Sequence, residues 1–323
     1  MSIDTSALNQ ALPGDNPCGP NLEYDPGFQA MEAAVDVVDV DWREVRSTVE
    51  DLCEKTKDLR IGAQAARAAL ATSGIVEFAA MVEVIRQWQD SFWEELHPEL
   101  EDPAEGLPQP RISALSVLTT KDPNPEKQKN STPGLLRSAA LVSGKLGSVS
   151  LRDYELANKA GSDTSSGAGE SEDDDESKAS APGLSSIAAL FSEDSAVESS
   201  RAAYAAVLSL MDSFTAMSQI CSEHFGHSEG LNTEDVTKTL IDMKAVLERF
   251  GDVVPANVSE TADEELEGSV VRSGGVPGEI NTREDAIQAL DRVCSYFEKS
   301  EPSSPVPFML RRAKGLISKS FIE

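Results

Sequence analysis

Between Ile75 and Leu96 the apolar residues Ile75, Phe78, Val82, Ile85, Phe92 and Leu96 follow steps of three and four, with Gln89 the one interruption. That spacing lines one face of a helix and cannot line one face of a strand, where side chains alternate. The same periodicity recurs along most of the chain. Asp25 and Pro26 form a helix start, and 26–35 then presents Phe28, Met31 and Val35. A helix from about 42 carries Trp42, Val45, Val49 and Leu52, and alanine-rich 58–72 continues the theme. Prolines crowd 97–134, leaving room for a short helix near 111–119. Val197, Tyr204, Val207, Leu208, Met211, Phe214 and Met217 mark a long helix to 225; Val236, Leu240, Met243, Val246, Leu247 and Phe250 mark another over 233–250. No segment sustains strand-like alternation, so the predicted class is all-α and multi-domain.

Two stretches lack the apolar side chains to offset their ordering entropy. Residues 161–183 have no large apolar residue and carry the acidic run Glu172 to Glu176; residues 255–281 are rich in acid, Gly, Ser and Pro. Read as flexible linkers, they divide the chain into a helical N-terminal domain (1–160), a helical middle domain (184–254) and a C-terminal region (282–323).

The charge balance narrows function. Fifty-six acidic residues against 28 basic give a formal net charge of -28. Such a chain repels phosphate backbones and anionic lipid surfaces, so neither nucleic acid nor direct membrane insertion is expected. No run is long and apolar enough for a span, and MSIDTSALNQALPGD lacks the features of a signal peptide, which points to the cytoplasm. Cys18, Cys53, Cys221 and Cys294 are widely spaced and read as buried thiols. Phosphate-cradling glycine motifs and a nucleophile elbow are absent from the sequence, so no catalytic residue and no cofactor are predicted. His224 and His227, three apart, are the one pair with metal-ligand spacing; the blander reading is a helix C-terminus, where cations are favoured. An acidic module that binds a basic partner is a further alternative.

Two stretches look specified. In Pro17-Cys18-Gly19-Pro20-Asn21-Leu22-Glu23-Tyr24-Asp25-Pro26-Gly27-Phe28, prolines and glycines fix a turn and Asp25 starts a helix, with Leu22 and Phe28 placed to clamp it. The expectation is a rigid N-terminal hook folded onto the first helix. In the tail, Asn281 and Thr282 begin a helix with Ile287, Leu290, Val293 and Phe297 on one stripe. Glu301-Pro302-Ser303-Ser304-Pro305 breaks it, and a second helix carries Phe308, Met309, Leu310, Ala313, Leu316 and Ile317. A lone hairpin this short cannot cover both apolar faces, so 282–323 is expected to self-associate.

The hook, Trp42 and Val45 followed by Lys57-Asp58-Leu59-Arg60, and FWEELHPEL at 92–100 resemble the ImpA N-terminal domain of the TssA (ImpA/VasJ-like) family of the type VI secretion system. The tail, with Glu301, Pro302, Ser304 and Pro305 and then Arg311, Arg312 and Ala313, resembles the C-terminal region of one branch of that family. The resemblance implies a cytoplasmic, non-enzymatic scaffold that forms a ring-like homo-oligomer through its C-terminal region. Its implied partners are the baseplate, sheath and inner-tube proteins of a contractile injector, and the membrane complex. The tail is closer to the branch that caps the growing sheath than to baseplate-resident members. Asn21 stands where the family usually shows an acid, and relatives commonly extend past Glu323. A truncated C-terminus is therefore one expectation.

Overall fold

The computed structural model describes residues 5–100, 109–163, 183–225, 230–251 and 253. The described residues all fall in one compact unit spanning Met1–Val258. The C-terminal candidates Ile287, Leu290, Phe297, Glu301, Pro302, Ser304, Pro305, Phe308, Leu310, Arg312 and Ala313 lie outside the described residues, as do His227 and Cys294.

After a single helical turn, α1 (Thr5–Leu8), come α2 (Pro26–Val35), α3 (Trp42–Cys53), α4 (Leu59–Ser73) and α5 (Ile75–Phe92). Aspartates start three of them: Asp25, Asp41 and Asp58 each accept backbone N–H groups of the first turn, a cap worth about 1 kcal/mol. Gly74, at φ 93°, separates α4 from α5 and adopts a backbone that residues with a Cβ avoid. The α4 helix is alanine-lined and buried nearly throughout, which lets α3, α5 and α6 (Gln109–Thr119) close on it together. Arg46 on α3 ties the tops of these helices by donating to Glu50, Glu77, Thr72 and Ser73.

A 3-10 turn (Gln128–Asn130) and α7 (Thr132–Ser138) lead to a β-hairpin, β1 (Ala140–Gly144) and β2 (Gly147–Ser150). This corrects the all-α expectation: among the described residues the fold is mostly helical, with one antiparallel two-stranded sheet. The strands are five and four residues long, and a register irregularity between Ala140 and Val142 leaves Leu141 and Val142 both buried. Alternation is therefore broken before it can show in the sequence.

Beyond the hairpin lie α8 (Leu151–Asp163), α9 (Leu184–Phe191), α10 (Asp194–Phe225) and α11 (Glu234–Phe250). The 32-residue α10 runs along α5. Phe214 meets Phe78 at 6.4 Å between ring centroids, Ser213 donates to Glu83, and Gln89 lies 3.7 Å from the Cys221 sulfur. The one polar interruption in the stripe of α5 thus faces a thiol on α10. The helices on either side of 161–183 share a single hydrophobic core.

Candidate functional site: the N-terminal hook

The hook is built on three consecutive carbonyls. Cys18 O accepts from Lys57 N at 2.7 Å and Thr56 Oγ1 at 3.1 Å, and Pro20 O accepts from Thr56 Oγ1 at 2.8 Å. Between them, Gly19 O lies 3.0 Å from His97 Nε2. A carbonyl only accepts, so that ring nitrogen carries the proton. Gly19 sits at φ 74°, and a Cβ there would lie 2.3 Å from the Lys55 carbonyl oxygen, so both backbone conformation and space demand glycine. The Cys18 side chain is fully buried, and burial pushes its thiol up to about 11; Cys53 and Cys221 are pushed up likewise, to about 12 and about 11.

Beneath the hook the chain crosses itself at Asp58 and His97, an isolated parallel bridge in which Leu59 N donates to His97 O at 2.9 Å. Two buried cations surround this crossing. Lys57, 1% exposed, donates to Leu8 O at 2.7 Å and lies 5.5 Å from the ring centroids of both Trp88 and Phe92. Trp88 Nε1 donates to the same Leu8 carbonyl at 2.9 Å, which pins the segment before the hook. Burial lowers the Lys57 pKa. Arg111, also 1% exposed, donates to Pro98 O at 2.8 Å, to Trp93 O at 2.7 Å and to Leu96 O. Its guanidinium lies 4.8 Å from the Trp93 ring centroid, and burial lowers its pKa to about 10. Carbonyls of the segment that follows α5 receive the fork of donors, which explains a buried charge with no carboxylate partner.

The outer half of the hook is a β-turn, closed by Asp25 N donating to Leu22 O at 2.8 Å, with Glu23 and Tyr24 at its corners. Leu22 and Phe28 both reach the core, Phe28 fully and Leu22 partly, and Asp25 caps α2. Arg60 secures the turn from α4: it pairs with buried Asp58 at 2.7 Å and Glu23 at 3.5 Å, and its guanidinium carbon lies 4.6 Å from the Phe28 ring centroid. Pro17, Cys18, Gly19, Leu22, Asp25 and Phe28 are therefore gathered into one anchored element. Tyr24 differs, for it is 87% exposed.

The sequence gives no structural task to Thr56, Asp58 or Arg111, and places His97 before Pro98 only as the end of the long helix. Asp58 was discoverable, being an aspartate directly before an apolar helical run. Arg111 was not, because acceptance by three backbone carbonyls leaves no partner in the sequence. His224 stacks on Trp93 at 4.0 Å between centroids, so its ring closes the end of α10 onto the α5–α6 connection. Among the described residues no group of three or more His, Cys, Asp or Glu side chains is placed to hold a metal ion, and no helix is long and apolar enough to cross a membrane.

Residues 9–120 match the family described as ImpA, N-terminal, type VI secretion system. Over 344 aligned residues the chain is 27% identical to the type VI secretion system component TssA1 of Pseudomonas aeruginosa, covering 99% of this chain and 93% of that protein. The fold is similar to a solved N-terminal domain that includes the ImpA_N region of the TssA component from Burkholderia cenocepacia, with a TM-score of 0.62 and 21% identity, covering 77% of this chain and 94% of that one. The resemblance carried by the hook, the KDLR segment and FWEELHPEL is thus borne out: residues 9–120 match the ImpA N-terminal family of the type VI secretion system, and the chain is similar along its length to a TssA protein.

Proposed function

We propose that this protein is a structural component of a type VI secretion system, a non-enzymatic scaffold that works by protein–protein contact. The observation that carries the proposal is the similarity to TssA1 over 99% of the chain. The geometry is in keeping with it: Thr56, the Nε2 of His97 and Arg111 are spent on backbone carbonyls, an arrangement that orders a surface rather than activates a nucleophile. In this reading the protein is cytoplasmic, and residues 282–323 drive assembly into a ring-like oligomer. The two sequence stripes of that region, Ile287, Leu290 and Phe297 before Pro302 and Pro305, and Phe308, Leu310 and Ala313 after them, bury against other copies. The oligomer contacts the baseplate, sheath and inner-tube proteins and coordinates their assembly as a cap.

The test is deletion of the gene in the host, followed by imaging of the sheath and measurement of inner-tube protein export. Loss of both, restored by the full chain, supports the proposal; unchanged sheath assembly and export contradict it. A fluorescent fusion that travels with the growing sheath end supports the cap role, whereas one fixed at the starting focus assigns the protein to the baseplate.

A further inference from the structure

Tyr24 is the one large side chain of the hook that the fold does not use. Its turn is anchored at both feet, by Leu22 against the core and by Asp25 as the cap of α2, yet the ring between them is 87% exposed. An aromatic ring held on a fixed turn loses little further freedom on binding, the property that makes tyrosine a frequent anchor at interfaces. Arg60, which secures the turn through Asn21 and Glu23, also lines a groove between α2, α4 and α6. The floor of that groove is apolar, formed by Met31, Pro98, Pro110 and Val117. Its charged groups among the described residues are Arg60, which faces both buried Asp58 and Glu23 of the turn, and the carboxylate of Glu32, so carboxylates outnumber the one cation. The surface therefore offers an exposed ring, an apolar floor and an unbalanced negative rim.

We propose that the Tyr24 turn and this groove form a docking face for a cationic segment of a partner protein, one carrying an apolar or proline side chain flanked by Lys or Arg. The charge of the rim selects the occupant: an acidic or phosphate-bearing partner would be repelled, and a purely apolar one would leave Glu32 desolvated without a counter-charge. The proposal deepens the scaffold reading by assigning the chemistry of one contact, and it stands apart from self-association, which that reading places in 282–323.

The test uses the full chain and a fluorescein-labelled peptide of repeating Lys-Pro-Leu-Lys, followed by anisotropy at about 0.15 M salt. Tyr24→Ala is expected to weaken binding about tenfold, and the paired change Glu23→Gln with Glu32→Gln several-fold. Tyr24→Phe, which keeps the ring, and Leu146→Ala, which removes an exposed side chain on the hairpin, are expected to bind as the parent does. The matching Glu-Pro-Leu-Glu peptide is expected not to bind. Equal binding by all variants would place the peptide on acidic surface in general and overturn the proposal. Residues 302–320 contain Arg311, Arg312, Lys314 and Lys319 and no acid. If a peptide of that sequence displaces the probe, and Tyr24→Ala also lowers the sedimentation coefficient, the occupant is another copy of this chain and the partner assignment fails. A failed peptide test with normal loss of sheath assembly on gene deletion would remove this inference alone.

Discussion

Replacing Arg111 with methionine keeps an unbranched apolar stem and removes the guanidinium. The buried fork currently satisfies the carbonyls of Trp93, Leu96 and Pro98. Each acceptor left unpaired inside the protein costs about 1–3 kcal/mol, so the loss is about 6 kcal/mol before compensation. The charge is itself costly to bury: the pKa, lowered from 12.5 to about 10 by burial, corresponds to about 3 kcal/mol that the substitution recovers. Methionine also stays in contact with Trp93, retaining most of the packing. The net expectation is a destabilisation of about 3 kcal/mol, read as a lower midpoint in urea unfolding followed by circular dichroism, with the slope unchanged. The sign is the informative part, because replacing buried ions by apolar groups is often neutral or stabilising when the partner charge leaves with them. Here the partners are backbone and cannot leave. A midpoint unchanged or raised in Arg111→Met would refute the claim that the guanidinium holds the α5–α6 connection.

Gly19→Ala is expected to destabilise by about 2 kcal/mol or more, since both φ and the Lys55 carbonyl oppose a Cβ; thermal unfolding reads this, and an unchanged melting temperature would show the turn is not held. Leu22→Asp puts a carboxylate at a partly buried contact and should cost about 1–3 kcal/mol by the same assay, whereas a free N-terminal tail would give no change. Glu83 accepts first from Arg86, then from Gln87 and Ser213, and its pKa is held down to about 2 against a usual 4.5. Its contribution is therefore complete above pH 4.5 and is lost as pH falls towards 2; with the side chain 34% exposed it amounts to about 1 kcal/mol, and Glu83→Gln should flatten stability across that window. Native iodoacetamide labelling at about pH 8 should leave Cys18, Cys53 and Cys221 unmodified until urea is added, read by peptide mass spectrometry; rapid native labelling of any of the three would contradict its burial.

Helices were legible where they carry both a stripe and a capping residue. The predicted 26–35 is α2 residue for residue, because Asp25-Pro26 fixes its start and the stripe Phe28–Met31–Val35 fixes its face. The 75–96 stripe overran α5 by four positions, since Leu96 is fully buried although the helix ends at Phe92. Apolar spacing reports burial, and burial continues into the turn before Pro98. The hairpin at 140–150 was hidden by its shortness and its irregular register. Composition marked 161–183 as unable to fold alone, yet it gave no sign that α10 would lie along α5: Phe78 and Phe214 are ordinary core residues in sequence, and the polar interruption at Gln89 did not name Cys221 as its partner. At the hook, prolines and glycines announced a fixed turn. The reason for its rigidity, three carbonyls received by Thr56, Lys57 and His97, depends on chain crossings that no local pattern encodes.

The scaffold account rests most heavily on self-association through 282–323, and sedimentation velocity addresses it directly. The full chain should sediment as a concentration-dependent oligomer, while a chain ended at Gly278 should sediment as a monomer with its helical circular dichroism per residue nearly unchanged. Charge substitutions at Leu290 and Leu310 in the full chain should reproduce the monomer. If the truncated chain assembles as well as the full one, the oligomerisation assignment is wrong and the scaffold mechanism built on it fails.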